Sequence, residues 1–272
     1  MFVTDQTIGP AVLARELEHR GFYSLYVAEH THIPVSRQTP YPAGGELPQV
    51  YARMLDPFVA LATAAAVVEK LHVGTSVCLV AQRDPIVLAK AVASLDHVSG
   101  GRFTFGVGMG WNKEEAADHG VAWSRRRELT RERIQLMQAL WRDEVATFVG
   151  EQARLSSSWA WPKPVQRPWP RILIGGAARP ATFSAIADWA DGWMPIGGSG
   201  LDEALPALRR AFEAAGRDPV DVQVVAVGVH GTRSKLERLA ALGVSEVALQ
   251  LPPAGESRVL KALDAYEKLL AP

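Results

Sequence analysis

Short apolar runs alternate with amphipathic helical stretches along the whole chain, and this alternation limits the folds open to it. Strand-like runs fall at residues 1–4, 23–28, 72–79, 103–107, 172–174, 193–196, 222–227 and 246–251. Helical periodicity fills the intervals at 10–20, 56–69, 85–98, 113–119 and 126–141, and follows each of the last four runs, ending at 257–270. Strands joined through helices pair in parallel, and eight such units predict a closed (β/α)8 TIM barrel. An open doubly wound sheet also alternates, but eight units in 272 residues without a break in composition favour closure into one domain spanning 1–272. The first run is short, so that either the chain starts late or the barrel is weakly closed at that point. Two stretches exceed simple connections. Residues 31–55 follow a strand and so lie on the catalytic face. Residues 145–170 carry a candidate hairpin at 146–155, then Trp159, Trp161 and Trp169 among prolines, a composition that argues for packing.

Charge and cysteine usage exclude several classes of function. Lys plus Arg and Asp plus Glu each number 29, so net charge suggests neither a nucleic-acid nor a membrane partner. No apolar stretch approaches the roughly 18 residues that span a bilayer. Cys78 stands alone, which rules out an internal disulfide and fits a reducing compartment. Residues 1–10 lack a basic start and a long apolar core, so the expectation is a cytoplasmic protein acting on a small molecule.

In a barrel, the C-terminal strand ends name the site. Gly175-Gly176-Ala177-Ala178-Arg179-Pro180 joins an apolar strand to a helix opening with proline. Glycine admits close backbone approach and free amides favour an anion, so this turn reads as a phosphate site. The other reading is an ordinary strand–helix turn. His30 and His32 sit at alternate positions after the second strand, a spacing able to chelate metal. Of the later strand ends only the seventh offers a histidine, so the expectation is no metal, with His30 as general acid or base. Glu29 beside it is placed to orient the ring or touch the ligand. Cys78 has no neighbouring base and reads as packing. Trp111 and Trp193 stand beside glycines at strand ends, where a ring walls a pocket.

Three segments carry a resemblance. They are Asp84-Pro85-Ile86-Val87-Leu88-Ala89-Lys90, Leu95-Asp96-His97-Val98-Ser99-Gly100-Gly101-Arg102 and Gly106-Val107-Gly108-Met109-Gly110-Trp111. With Gly21-Phe22, Glu29-His30 and Ala190-Asp191-Gly192-Trp193, they resemble the luciferase-like monooxygenase superfamily across nearly the whole chain, and most of all its coenzyme F420 branch.

The resemblance implies a barrel binding a deazaflavin at its mouth, often as a homodimer. The apolar helix at 58–68 is itself a candidate interface, although a long apolar helix face more often serves barrel packing. It places a bulge, commonly with a non-proline cis peptide, at Ser76-Val77 behind the deazaflavin ring. It places the cofactor phosphate at Gly175, Gly176 and Ala177, with Gly110, Trp111 and Trp193 near the cofactor. Arg179 and Lys163 are the cations assigned to its anionic tail. Glu29 and His30 match the acidic residue and histidine of sugar-phosphate dehydrogenases in that branch, which contact the deazaflavin and act as acid and base. Those enzymes carry a glutamate where this chain has Trp111, which points to a more apolar substrate. The implied activity is F420-dependent hydride transfer. An FMN-dependent monooxygenase and a non-catalytic flavin- or deazaflavin-binding protein are the alternatives.

Overall fold

The computed structural model describes residues 1–270. In chain order the elements are α1 (Pro10–His19), β1 (Ser24–Val27), α2 (Pro57–Ala65), β2 (His72–Thr75), α3 (Pro85–Val98), β3 (Phe103–Gly108), α4 (Lys113–Asp118) and α5 (Arg126–Arg142). Then come β4 (Ala146–Val149), β5 (Arg154–Ser158), β6 (Ile172–Gly175), α6 (Pro180–Trp189), β7 (Gly192–Met194), α7 (Leu201–Ala214), β8 (Gln223–Val229), α8 (Arg233–Ala241), β9 (Glu246–Leu249) and α9 (Glu256–Glu267). Helix starts follow local chemistry. Asp56 and Asp84 accept the first free amides of α2 and α3, and each is followed by a proline whose missing N–H costs nothing there.

Seven parallel strands run in the order β1-β2-β3-β6-β7-β8-β9, with β4 and β5 as a separate antiparallel hairpin. The barrel expected from the alternation is therefore present, and so is the hairpin. The first of the eight expected strands does not form. At residues 1–4 only Thr4 pairs, in an isolated antiparallel bridge with Met54. The reason is competition: the Val3 carbonyl accepts from the Leu55 amide, so this segment is held by the returning 31–55 excursion and touches the sheet edge through the Met1 amine, which donates to the Tyr26 carbonyl of β1.

Strand parity divides the core. Tyr26, Leu173, Met194, Val225 and Val227 point into the barrel and pack with Val77 and Ala248. Their neighbours Leu25, Val27, Ile172, Ile174, Trp193, Val224 and Ala226 face the helix layer. Helix α2 belongs to that layer, burying Phe58, Ala60, Leu61, Ala64 and Ala65 while Val59 faces outward. Among the described residues no helix is long and apolar enough to cross a membrane.

The second excursion crosses the N-terminal face near Gln166, while the tip of its hairpin is held along α5, where Glu132 accepts from the Gln152 and Ala153 amides. Gln166 donates to the buried Asp96 carboxylate (2.6 Å) and to the Phe103 carbonyl at the start of β3 (2.7 Å). Trp169 packs on the core as expected, whereas Trp159 and Trp161 are exposed. Lys163 is buried and donates to the carbonyls of Leu140 and Asp143 at 2.8 and 2.6 Å. It caps the C-terminus of α5, so it does not serve an anionic ligand at the mouth.

The barrel seam between β1 and β9 is closed by side chains. Glu246 accepts hydrogen bonds from Ser24 and from the Tyr26 hydroxyl. Burial pushes its carboxyl above the usual range, with the two hydrogen bonds opposing. An acid whose folded-state value is raised weakens the fold once pH climbs past the unfolded value. Glu246→Gln is therefore expected to raise the thermal midpoint at neutral pH, a gain that shrinks as pH falls toward 4. Melting curves of both proteins across that range check it; a gain independent of pH contradicts the burial argument.

Candidate active site

The C-terminal mouth is organised around the end of β2. After Thr75 the chain turns inward through a cis Ser76–Val77 peptide, the non-proline cis bond expected at that position. The Ser76 amide donates to the Val27 carbonyl and the Cys78 amide to the Gly106 carbonyl, both at 2.7 Å. Val77 thereby lies between β3 and β6. A Cβ at Gly108 would come within 2.2 Å of Val77 Cγ2, and one at Gly175 within 2.5 Å of its Cγ1. Both strands end in glycine because this side chain fills the space. Cys78 is fully buried, and burial pushes its thiol well up, consistent with packing.

Glu29 does not orient His30. Its carboxylate accepts from the Leu79 amide at 2.7 Å and from Arg83 Nε at 2.5 Å, with side-chain exposure of 2%. Arg83 also pairs with Asp56, the cap of α2, at 2.6 Å. Glu29 is thus the anchor of the β2–α3 connection.

The group that holds His30 is Glu115, which the sequence reading did not single out. His30 Nδ1 lies 2.7 Å from Glu115 Oε2, and the other carboxylate oxygen accepts from the Thr31 amide at 3.2 Å. Glu115 is fully buried in α4, whose N-cap is Asn112. An N-cap followed three residues later by glutamate is a capping-box signature, and it was legible at Asn112 and Glu115. Here the glutamate turns to the histidine. On the other side of the ring, Trp111 Nε1 donates to His30 Nε2 at 3.1 Å. An indole N–H can only donate, so these partners assign the proton to Nδ1 and a lone pair to Nε2.

The 31–55 excursion closes over this group, on the face expected. Tyr51 and Tyr41 bring their rings to 6.2 and 6.1 Å from Trp111, Tyr51 lies 5.4 Å from His30, and the two tyrosine hydroxyls bond at 3.1 Å. Burial and then that bond push the Tyr51 phenol up. The excursion is pinned by α4, because Glu114 accepts from the amides of Gln38 and Thr39 at 3.0 and 3.1 Å. Hydrogen bonding to Thr39 is the main reason its carboxyl falls to about 2. His32 points away from His30 and bonds Asp118 at 2.9 Å on the surface. Among the described residues no cluster of His, Cys, Asp and Glu is arranged to hold a metal ion.

Gly175, Gly176 and Ala177 form the turn into α6, open to the exterior at Ala177, Ala178 and Arg179. Among the described residues, no protein acceptor takes the amides of these last three. Trp193 faces the helix layer, buried against Phe183, and donates from Nε1 to the Gly176 carbonyl at 2.9 Å. It steadies the turn from behind and does not wall the mouth; strand parity, unread at a three-residue strand, is the reason. Gly110, at φ +69°, lines a narrow cleft with Leu79, Gln82, Met109 and Arg126.

The profile of the luciferase-like monooxygenase family matches residues 11–243. The chain belongs to that family. Its members are oxidoreductases and monooxygenases, and the luciferase-like resemblance read from the sequence is thereby shown. An uncharacterized protein of Mycobacterium tuberculosis is 46% identical over 256 residues, covering 93% of this chain and 90% of the relative. The F420-dependent glucose-6-phosphate dehydrogenase of Kineococcus radiotolerans is 31% identical over 215 residues, covering 76% of this chain and 59% of that enzyme. Among solved structures, the monooxygenase RslO1 of Streptomyces bottropensis superposes with a TM-score of 0.79 at 21% identity, covering 96% of this chain and 91% of that one. This last similarity bears on the fold.

The close fit of Val77 yields a test. Gly175→Ala is expected to cost about 1–3 kcal/mol, as overpacking does in a filled site. Val77→Ala in the same chain should recover most of it. Urea denaturation of the two single variants and the double variant checks this, and strict additivity would refute the contact.

Proposed function

We propose that this chain is a coenzyme F420-dependent oxidoreductase, in which a hydride passes between the deazaflavin C5 and a small organic substrate. The observation that carries the reading is the His30–Glu115 pair at the barrel mouth. A histidine with its proton held on Nδ1 by a buried carboxylate, and a lone pair on Nε2, is a proton acceptor in waiting. The 31% identity to an F420-dependent dehydrogenase supports the cofactor assignment.

The residues present fit such a group. Val77, wedged where a Cβ on either flanking glycine would collide, offers a fixed apolar backing for a flat ring. The Gly175-Gly176-Ala177 turn, with unclaimed amides at the start of α6, suits its phosphate, and Arg179 is the nearby cation for its tail. When bound, the deazaflavin supplies two-electron hydride chemistry. Glu115 fixes the imidazole tautomer and stabilises the ring when Nε2 takes a proton from the substrate oxygen. The excursion carrying Tyr41 and Tyr51 excludes water from that exchange. Glu29 acts one step back, through Leu79 and Arg83, by holding the segment that presents Val77.

Fluorescence titration of the protein with F420 and with FMN, side by side, tests the cofactor. Micromolar or tighter preference for F420 is the expected result. Preference for FMN transfers the chain to the flavin-dependent monooxygenases, and binding of neither leaves a barrel without a cofactor. With turnover in hand, His30→Ala should lower kcat by about 10²–10⁴. Glu115→Gln should lower it by at least about tenfold, because an amide no longer offsets imidazolium charge. A His30→Ala enzyme within a few fold of wild type removes the acid–base role.

We further propose a homodimer formed through the outer faces of α2 and α3. The inner face of α2 is spent on the barrel, but Val59, Ile86 and Val87 remain exposed, at 65, 47 and 69%. Helix α2 has no charged side chain, and the exposed charge one turn from Ile86 and Val87 on α3, Lys90, is drawn aside to the Trp161 carbonyl. Sedimentation analysis should show a dimer for the native chain and a monomer for the Val59→Glu, Val87→Glu double variant. A native monomer refutes the interface.

A further inference from the structure

The arrangement around His30 has an unusual feature for a group that exchanges protons with substrate. Its one available lone pair is already occupied. Nδ1 is committed to Glu115, and Nε2 accepts from the Trp111 indole at 3.1 Å. We propose that Trp111 is the specificity-determining gate of this site: its N–H stands where a substrate hydroxyl donates to His30, and a neutral alcohol bearing a flat apolar group displaces it. The inference rests on His30 as the proton-exchanging residue and adds what that residue selects.

Three observations support it. First, the chemistry of the contact matches, since an indole N–H and an alcohol O–H are both single donors to one nitrogen lone pair. Second, Trp111 is held by rings that a flat molecule could equally engage. Its ring makes edge-on contacts with His30 at 5.5 Å, Tyr41 at 6.1 Å and Tyr51 at 6.2 Å, and Phe2 backs Tyr51 at 5.0 Å. The residue is only half-buried and follows Gly110 in the loop between β3 and α4. Third, apart from Asn112 Nδ2 and Glu114 Oε2, which have no hydrogen-bond partner among the described residues, the polar groups around the indole are engaged internally. The Tyr41 and Tyr51 hydroxyls bond each other. Glu115 holds His30 and Thr31, and Glu114 holds the Gln38 and Thr39 amides. Arg37, whose guanidinium lies 5.6 Å from the indole centroid, donates to the Thr39 carbonyl. A phosphorylated sugar placed here would bury charge and hydroxyls against ring edges, whereas an aromatic alcohol would replace one ring packing and one donor with another.

Nuclear magnetic resonance of the ¹⁵N-labelled protein tests this directly, with the Trp111 indole signal identified by its loss in Trp111→Phe. In the free protein the indole proton should exchange with water slowly, and at least tenfold faster in His30→Ala. 1-Phenylethanol, added to the protein alone and with F420, should move the signal, while glucose 6-phosphate should leave it in place. An indole that exchanges as fast in the wild type as in His30→Ala overturns the gate. A signal moved by glucose 6-phosphate and not by 1-phenylethanol overturns the substrate class. Failure to bind F420 would instead sink the cofactor assignment, leaving the free-protein exchange and the 1-phenylethanol shift intact. In turnover, Trp111→Phe keeps a ring but removes the competing donor. KM for an aromatic alcohol should then fall about fivefold, the equivalent of one ordinary hydrogen bond; an unchanged or raised KM counts against the gate.

Discussion

The mouth of this barrel depends on one buried carboxylate. Glu29 leaves the end of β1 and binds both the Leu79 amide and Arg83, while Arg83 reaches on to Asp56 at the start of α2. Arg133 from α5 donates to the carbonyls of Val80, Ala81 and Arg83, holding the same connection from its other side. A buried ion pair adds little net stability over apolar packing, because desolvation offsets most of the attraction. Its effect here is geometric. A charge that cannot be left unpaired fixes where the chain runs after β2, and that path sets Val77 between Gly108 and Gly175. The shape of the site is therefore determined by the residue next to His30.

The same economy explains why polar groups on the two faces of the barrel have different work. On the N-terminal face, Asp96, Gln166 and Lys163 satisfy one another or a helix end, and the 145–170 excursion is locked down by them. On the C-terminal face, Glu114 and Glu115 are neighbours in one short helix yet serve different partners. Glu114 takes the amides of the covering excursion, and Glu115 takes the histidine. Ordering of the cover and orientation of His30 are thus coupled through α4.

Much of the fold was legible because it is written in period and punctuation. Seven of the eight strand runs form, since each is an apolar stretch bounded by turn residues and followed by a helical pattern. The Asp-Pro pairs at 56–57 and 84–85 mark two helix starts outright. The run at 1–4 failed because apolar character alone does not say which partner takes its carbonyls. In the site, His30 and the Ser76–Val77 bend were found from position in the chain and from family likeness. Trp193 was misplaced because adjacent residues of a strand face opposite layers, and Met194, not Trp193, points inward. Lys163 was misassigned because charge without burial says nothing of its partner, and here the partner is a helix end. Glu115 was missed for a different reason: its pairing with His30 spans 85 residues of sequence. A capping box marks where the glutamate sits, but not that it abandons its own helix terminus for a side chain across the mouth.

That choice by Glu115 has a consequence for the chemistry. A neutral imidazole beside a buried carboxylate is held by a strong charge-assisted hydrogen bond, and the resulting tautomer leaves one lone pair. In an apolar surround an unsatisfied lone pair is costly, so the site without a bound partner must supply a donor. Trp111 is the donor in reach. Glu115, the Nδ1 proton, the Nε2 lone pair and Trp111 therefore form one chain of requirements. Each follows from the one before, and the last restricts which molecules can take the place of an indole.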